Sequence, residues 1–545
     1  MMKTSRRGFL ALGTAATAAA GLAACGSGGG SSTTADGKPI VKVQVVKDSR
    51  TAKMSDLAWT KSLEEAAGCS IQWLETPSAS WDQQKKASLA AGDVADITIG
   101  GFGSGDMADF GSLFMDLKPE LGSLPNVQAM FDAEPYAQVV STTTDGKILG
   151  TPTVARSITA RSSNHMFINK QWLDNLGLEV PTTWAELETV LEAFKDGDPT
   201  GTGAAVIPLD FNAPGTDGFG LFNPNLLLSS RGITVSSGAL GMYAKDGVVK
   251  NYLTDPAYKE LIVFLRRLWE KGLISEEAFT HDWSAYTSTA KGDGDVAKVG
   301  VSWMWTPSDI FGSTLGPQYV TIPALKAEAG QSEKTVWTYN GDDLAYQANR
   351  AVVSANPGNK KATLALVDAF YSADMTVQMR YGAFDTCVTR NGDNDYTVLE
   401  PADSTKNASD WQFTNALADG APGWIRPDMV LNLPAEHTEY REVDAVYEDN
   451  YANIDLNQDV LYSNMPTTPE QSRTLSKNAT GINQNAMSKF AQWITQGGVE
   501  AEWDDYVASL EANNLAESIA VQQEIYDAYK AQMDELGVDL NSLSE

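Results

Sequence analysis

Residues 40–101 alternate between the hydrophobic period of a strand and that of a helix. The run from Ile40 to Val46 alternates apolar and polar side chains and is rich in β-branched residues, which predicts a strand. The predicted order is strand 40–46, helix 56–67, strand 70–74, helix 81–91 and strand 96–101. This regular alternation predicts an α/β fold with an open, mostly parallel sheet and flanking helices.

Open sheets of this kind bind ligands beyond the carboxyl ends of their strands. Asp48 follows the first predicted strand, and Phe102 follows the third strand after a glycine-rich turn. Trp81 opens the second predicted helix. We therefore expect these three side chains near a ligand cleft.

Helical patterns also occur further along the chain. Thr183 is a predicted N-cap, and Glu186, three residues later, completes the sequence signature of a capping box. The tail over 472–540 carries apolar residues at helical spacing. We expect this tail to pack on the second of two lobes.

The chain begins with a pattern typical of export signals. Basic Arg6-Arg7 precedes an uncharged, Ala-rich run over 11–21, which is too short to span a bilayer comfortably. Paired arginines before Phe-Leu resemble the twin-arginine signal, which exports folded cargo. Leu22-Ala23-Ala24-Cys25 resembles a lipobox, in which Cys25 is acylated; the alternative is an ordinary cleaved signal with an incidental cysteine. Residues 26–37 are Gly/Ser-rich and predict a flexible tether.

Length and charge narrow the class of protein. A chain of 545 residues exceeds one ordinary domain, so two or more lobes are expected. The formal charge of -30 repels nucleic acid and anionic lipid and so disfavours them as partners. It neither attracts nor repels a neutral ligand. No apolar run after the leader is long enough to cross a membrane, so a lipid anchor is the only membrane attachment expected.

The cysteines and histidines do not form a recognisable metal motif. Beyond Cys25, only Cys69 and Cys387 remain, and they predict either a disulfide of an exported protein or two buried thiols. His165, His281 and His437 are scattered, and this spacing disfavours a zinc site. We expect no metal and no cofactor.

Three segments carry a resemblance to a known family. They are DGKILGTP at 145–152, MFINKQWLDNLGLEVPTTWAEL at 166–187 and FAQWITQGGVEAEWDDYVASL at 490–510. Together with the lipobox they resemble the family 1 extracellular solute-binding proteins of ABC importers, the sugar-binding lipoproteins related to maltose-binding protein. The likeness extends over most of the mature chain.

The resemblance implies a two-lobed, periplasmic-binding-protein-like α/β fold with a multi-strand hinge that closes on a ligand. Transferred to this chain, the first lobe takes residues 38–153 plus 343–420, and the second takes 154–342 plus 421–545. Long relatives often carry a calcium loop at the position of 196–207. Here Thr200 and Thr202 replace the expected asparagines, and Val206-Ile207 replace the closing acids, so we expect a degenerate loop without calcium.

Tryptophans near residue 300 are the leading candidates for ligand contact. Trp303 and Trp305 are two residues apart, so on a strand they share one face, where indole rings stack on the apolar faces of sugars. Maltose-binding protein brings a tryptophan into its cleft from the matching segment. The alternative is that both rings are core.

Further candidates lie near this pair or near the predicted crossings between lobes. Some are aromatic rings for stacking and others are polar groups for sugar hydroxyls. They are Trp283, Tyr286, Tyr339, Asn340, Asp342, Asp343, Trp424, Arg156 and Arg161. For each of these residues the alternative to ligand contact is a structural role in the core, in a turn or as a surface charge.

The leading hypothesis is a non-catalytic, lipid-anchored receptor on the outer face of the cell membrane. It captures an oligosaccharide between its lobes and delivers it to ABC permease subunits, and it acts as a monomer. A receptor for peptide or another polar solute remains an alternative. A lipid-anchored glycoside hydrolase is a weaker one, because it requires two carboxylates across the scissile bond and no catalytic motif is present.

Overall fold

The computed structural model of the chain describes residues 33–212, 222–236 and 240–543. The leader, Cys25 and most of the predicted tether therefore lie outside the described residues. The strands are β1 (Ile40–Lys47), β2 (Ser70–Pro77), β3 (Ile97–Ile99), β4 (Gly150–Val154), β5 (His165–Asn169), β6 (Ile207–Leu209), β7 (Met242–Lys245), β8 (Val248–Asn251), β9 (Val299–Met304), β10 (Tyr319–Thr321), β11 (Tyr346–Val353), β12 (Val388–Gly392), β13 (Asp395–Val398), β14 (Gly423–Trp424) and β15 (Val430–Asn432).

A larger set of helices surrounds these strands. They are α1 (Trp59–Ala67), α2 (Ser78–Ala91), α3 (Ser104–Phe110), α4 (Pro125–Ala133), α5 (Pro135–Ser141), α6 (Lys170–Leu176), α7 (Trp184–Asp196), α8 (Pro256–Glu270), α9 (Trp283–Ala290), α10 (Pro307–Leu315), α11 (Gly341–Ala345), α12 (Lys360–Ala369), α13 (Ala373–Tyr381), α14 (Ala408–Asn415), α15 (Glu439–Ala445), α16 (Glu448–Tyr451), α17 (Pro469–Gln496), α18 (Val499–Ala512) and α19 (Leu515–Glu535). Within the described ranges, no helix is both long and apolar enough to cross a bilayer.

A six-stranded sheet organises the first lobe, in the order β14-β4-β11-β3-β1-β2. Strands β1, β2 and β3 pair in parallel, as the alternation of strands and helices predicts. The side chains of Val41, Val43 and Val45 are fully buried, because alternate residues of β1 face the core. Strand β11 returns from much later in the chain and enters antiparallel between β3 and β4.

A four-stranded sheet organises the second lobe, in the order β10-β5-β9-β6. Here β6 and β9 are parallel, whereas β5 runs antiparallel to both of its neighbours. The α/β class with flanked sheets is confirmed. The strand directions are more mixed than the expected mostly parallel sheets, because strands from distant parts of the chain are inserted into both.

A bulge interrupts β11 next to the crossing between the lobes. Gln347 pairs with Thr153 and Ala351 with Thr151, so three residues of β11 lie opposite one residue of β4. Within the bulge, Asn349 has a φ of 54°, a left-handed conformation that asparagine tolerates better than most residues. Strand β14 joins this same sheet by pairing with β4, although its residues fall just beyond the predicted 420/421 boundary.

The tail forms helices α17, α18 and α19, as predicted. Helix α17 packs on α8, whose Phe264 ring stacks on Trp184 of α7 at 5.0 Å, and α7 packs on β6. The tail therefore packs on the helices that flank the four-stranded sheet. It also reaches the first lobe, because Tyr529 of α19 donates a hydrogen bond to the Tyr136 hydroxyl of α5 at 3.0 Å.

The start of α7 forms only part of the predicted capping box. The Thr183 side chain accepts a hydrogen bond from the Glu186 amide, as expected of an N-cap. The Glu186 carboxylate, however, accepts from the amide and hydroxyl of Thr182, one residue earlier than the motif requires. The helix start is correct, and the reciprocal bond is displaced by one residue.

The two remaining cysteines are buried free thiols, which answers the alternative that the sequence left open. Cys69 lies in the main hydrophobic core, and Cys387 lies in a separate small core beside β12 and β13. Burial raises the pKa of each thiol to about 11. Both thiols therefore stay protonated and unreactive at neutral pH.

Candidate functional site

Trp303 lies in the core rather than in an open cleft. Its side chain has 0% exposure, and its ring packs edge-on against Phe211 with centroids 6.5 Å apart. Strand β9 ends at Met304, so Trp305 lies beyond the strand and the two rings do not share one exposed face. The core alternative is the correct one for Trp303 in this structure.

Tyr286 is likewise fully buried. Its hydroxyl donates to the carbonyl oxygen of Trp303 at 2.6 Å and lies 2.8 Å from the Ser302 hydroxyl. These bonds fasten α9 to the end of β9. Tyr286 therefore supports the site structurally and offers no surface to a ligand.

Trp305 and Trp283 have partly exposed rings near the carboxyl end of β9. Trp305 is half-buried, and its ring lies 6.2 Å from the ring of Tyr440. The backbone of Trp305 is held because His165 donates from Nδ1 to its carbonyl oxygen at 2.7 Å. Trp283 opens α9 with 47% exposure, and its ring lies 5.9 Å from that of Phe222. Both indoles are therefore partly exposed to solvent.

The segment before β11 is tied to the second lobe by Asn340. Its amide oxygen accepts from the Ser163 amide at 2.9 Å, and its amide nitrogen donates to the Ser163 hydroxyl at 2.9 Å. The polar groups predicted to bind sugar are therefore used to hold two crossing segments together. Tyr339 beside it is half-buried against Tyr451, with ring centroids 6.4 Å apart.

Asp342 and Asp343 begin α11 in an unusually apolar setting for two carboxyl groups. Asp342 has 5% exposure, and its Oδ2 atom makes no hydrogen bond within the described part of the chain. Burial, reinforced by the neighbouring Asp343, raises the pKa of Asp342 well above its usual value. Asp343 instead accepts hydrogen bonds from Ser463 and Asn464, which link α11 to the start of the tail.

Asp342→Asn is expected to make stability less dependent on pH. A carboxyl whose folded pKa is raised holds its proton in the folded state, so its contribution falls as pH rises from about 4. The amide is isosteric with the protonated acid and cannot ionise. The variant should therefore gain stability relative to wild type between pH 4 and pH 7, by about 1 kcal/mol or more.

Denaturant unfolding of both proteins at several pH values measures this gain. Asp82→Asn is the matched control, because the Asp82 side chain is 89% exposed and its removal should leave the pH profile unchanged. A constant difference between Asp342→Asn and wild type across the range would contradict the assignment of a buried, protonated carboxyl.

Both basic residues near the crossings, Arg156 and Arg161, are half-buried. Arg161 is ion-paired with Asp444 at 3.3 Å and with Glu448, and its guanidinium lies 4.4 Å from the Tyr451 ring centroid. Its charge is thus satisfied inside the protein. Arg156 begins a short 3-10 turn, Arg156–Ile158, and is half-buried.

Trp424, another predicted stacking residue, has only 7% exposure on β14. Its indole nitrogen makes no hydrogen bond to the described residues, and the Arg426 guanidinium lies 5.9 Å from its ring centroid. The ring is therefore mostly buried in the core, and its indole N–H has no acceptor among the described residues.

The candidate ligand-binding residues of the first lobe are also engaged in contacts within the protein. Asp48 forms an ion pair with Arg50 at 2.9 Å, and the hydrogen bond from Arg50 holds the pKa of Asp48 below its usual value. Phe102 and Trp81 are buried against each other with ring centroids 5.8 Å apart. Both rings are packed beneath the glycine-rich turn after β3 and do not form an open surface beside it.

A cavity of about 470 Å³ lies next to the buried rings of Phe102 and Trp81. Its walls come from 104–112, 140–149 and Asn349 in the first lobe, and from 464–469 at the start of the tail. The two walls touch where Arg473 of α17 approaches Asp109 of α3 at 3.8 Å. None of the candidates chosen from the sequence lines this cavity, so sequence reasoning missed it.

Two signals in the sequence could have indicated the cavity. Ser141-Thr142-Thr143-Thr144 is a run of hydroxyl side chains directly before a turn. In β11, the polar residues Gln347, Asn349 and Arg350 interrupt an otherwise apolar strand. Tyr440, the ring beside Trp305, carries no such signal, because its position depends on how α15 packs.

Comparison with known proteins places these observations in a family. Residues 47–377 match the family described as bacterial extracellular solute-binding protein. The chain belongs to this family. It is 38% identical to an HMO binding, ABC-transporter associated solute binding protein of Bifidobacterium longum infantis, with a TM-score of 0.86 over 91% of this chain and 100% of that one.

Two further comparisons concern a pneumococcal member of the family. The chain is 29% identical over 491 residues to the fructooligosaccharide ABC transporter substrate-binding protein FusA of Streptococcus pneumoniae, covering 86% of each protein. The structure of FusA in complex with kestose matches with a TM-score of 0.77 at 24% identity, over 90% of this chain and 99% of that one, which supports the shared two-lobed fold.

In this solute-binding protein the calcium-like loop is closed by its own side chains. The Asp198 carboxylate accepts hydrogen bonds from the Gly203 amide at 3.0 Å and from the Thr200 hydroxyl at 3.3 Å. Ile207, at a position where an acid would complete a calcium site, begins β6. Across the described ranges, no group of three or more acidic, histidine or cysteine side chains is placed to hold a metal.

Proposed function

We propose that this solute-binding protein captures a neutral oligosaccharide between its lobes and delivers it to the permease of an ABC importer. The observation that carries the proposal is the pair of partly exposed indoles, Trp305 and Trp283, near the carboxyl end of β9. Indole faces stack on the apolar faces of sugar rings. The HMO binding protein of Bifidobacterium longum infantis and the fructooligosaccharide-binding FusA are relatives that support a saccharide ligand.

Charge supports a neutral ligand over a peptide. Arg161 is neutralised by Asp444 and Glu448, and Arg50 by Asp48 and Asp410. A peptide receptor benefits from a free charge that takes a terminus of its ligand, whereas these guanidinium groups are already paired. The formal charge of -30 gives no general attraction for anionic solutes.

A role without catalysis is supported by the family, whose members serve transport, and by the setting of the acids. A glycosidase places two carboxyl groups on opposite sides of a bond, about 5–10 Å apart. Asp342 and Asp343 are consecutive residues of α11, and Asp342 is buried among tyrosine side chains. We propose that these acids are structural.

Membrane attachment completes the proposal. Acylation of Cys25 would hold the two lobes on the outer face of the cell membrane through the tether 26–37, close to the permease. The leader and Cys25 lie outside the described residues, so this step rests on the sequence pattern. We propose a monomer, with the permease subunits and the lipid anchor as its membrane contacts.

Calorimetry of the chain without its leader tests the function against a panel of neutral oligosaccharides, while released products are followed in parallel. We expect one glycan class to bind one-to-one without turnover. Turnover of a panel member would replace the receptor with a glycosidase. No binding to any glycan, together with binding to a peptide panel, would replace the saccharide with a peptide.

A further inference from the structure

We propose that Asn391 is a site of spontaneous deamidation, at which the side-chain amide is converted to an isoaspartyl or aspartyl residue. Asn391 is followed by Gly392, and a glycine has no Cβ to hinder an attack of its backbone nitrogen on the preceding side chain. Both residues are exposed on β12, an edge strand of the three-stranded sheet β12-β13-β15. Water, the one co-reactant, therefore has direct access to the site.

The reaction proceeds through a cyclic imide. The Gly392 backbone nitrogen, once deprotonated by hydroxide, forms a bond to Cγ of Asn391, and the bond from Cγ to Nδ2 breaks to release ammonia, which takes up the proton. Water then opens the imide. Opening at the main-chain carbonyl gives isoaspartate, in which the chain runs through Cγ, and opening at Cγ gives aspartate. No group is oxidised or reduced, and the protein gains one negative charge.

A bulge in β12 places Asn391 outside the regular strand pairing. Arg390 pairs with Tyr396 and Gly392 pairs with Asp395, so Asn391 is an extra residue without a partner on β13. Such a bulge disrupts the ladder of backbone hydrogen bonds locally. The backbone around Asn391 can therefore reach the geometry of ring closure more readily than the backbone of a regular strand.

The other Asn-Gly pair of the sequence, Asn340-Gly341, is protected by the fold. Ser163 binds both amide atoms of Asn340, and Gly341 is buried as the first residue of α11. A Cβ added at Gly341 would lie 3.1 Å from the nearest atoms, whereas one at Gly392 would meet no described atom within 4 Å apart from its chain neighbours. The same dipeptide in a crowded setting is thus an internal control for the exposed one.

The new carboxylate would weaken the three-stranded sheet. The Asn391 amide nitrogen donates to Asp395 at 3.0 Å and to the Thr397 hydroxyl at 2.9 Å. Deamidation removes this donor and places a second negative charge beside Asp395, and like charges facing each other across two strands are destabilising. Asn432 of β15 donates to the same oxygen of Asp395 at 3.3 Å, so the repulsion affects both strand pairs of the sheet.

Peptide mapping by mass spectrometry tests the site after the folded chain without its leader is stored at mildly acidic and at mildly alkaline pH. We expect the Asn391 peptide to exchange NH2 for OH and to separate into isoaspartyl and aspartyl forms, several-fold faster at alkaline pH. The Asn340 peptide should stay unchanged. Equal rates at the two asparagines, or an Asn391 that reacts only after the protein is denatured, would overturn the proposal.

Two variants test the chemistry and its consequence separately. Gly392→Ala should slow the modification several-fold, because the added Cβ crowds the attacking nitrogen while it fits into open space; an unchanged rate would exclude the backbone attack. Asn391→Asp carries the charge of the product from the start. It should speed amide hydrogen exchange in β12 and β13 several-fold and leave the six-stranded sheet unchanged. Wild-type exchange in β12 and β13 would overturn the weakening that the proposal assigns to the modification.

Discussion

Trp303→Ala is expected to lower the free energy of unfolding by about 3–5 kcal/mol, the cost of emptying a buried tryptophan site. The ring has no exposed atoms and packs against Phe211 inside the second lobe, where β5 and β6 flank its own strand β9 and restrict collapse into the space. Denaturant unfolding followed by circular dichroism measures the loss as a lower midpoint.

Trp283→Ala is the matched control for this stability effect. The Trp283 ring is 47% exposed, so its removal should change the unfolding free energy by roughly 0.5 kcal/mol or less. If Trp303→Ala were as stable as Trp283→Ala, Trp303 would not be a core residue, and its original interpretation as a stacking residue would return.

Trp305→Ala is expected to weaken oligosaccharide binding by about 2 kcal/mol, roughly 30-fold in Kd, because a ring that the ligand covers would be lost. The ring is half-buried, and the Trp305 backbone is held separately by His165, so the fold should survive. Calorimetry with the best glycan of the panel measures the change, and the melting temperature verifies that the variant is folded.

Trp73→Ala controls for the loss of any half-exposed tryptophan. Trp73 lies on β2 of the first sheet, where its ring packs edge-on against Trp59 at 6.4 Å. Its removal should leave Kd unchanged. An equal loss of affinity in both variants would show that binding responds to general destabilisation, and an unchanged Kd in Trp305→Ala would remove Trp305 from the ligand site.

Local patterns predicted the first sheet well because its strands and helices follow one another in sequence. β1 and β2 were recognised within a few residues of their ends, and the helical character of the tail was predicted correctly. Such local patterns could not predict the antiparallel insertion of β11 into this sheet. It depends on a pairing between residues about 200 positions apart, which periodicity does not encode.

The sequence shows which side chains have the chemistry for sugar binding, but it does not show which of them are exposed. Trp303 and Trp305 look alike in sequence, yet the end of β9 at Met304 sends one into the core and leaves the other partly open. Asn340 has the amide that sugar recognition uses, but Ser163 occupies it. The cavity with Asn349 was missed because its walls come from four separate stretches of chain.

The late entry of β14 has a consequence for biosynthesis. β4 ends at Val154, and its partner β14 begins at Gly423, so the first sheet stays incomplete while the ribosome adds the residues between them. At about 5–20 residues per second, this interval is roughly 15–50 s. A polypeptide secreted in step with translation would spend that time outside the cell with an open sheet edge. An export route that waits for the finished fold, as the Arg6-Arg7 pair predicts, would keep that edge inside until β14 covers it.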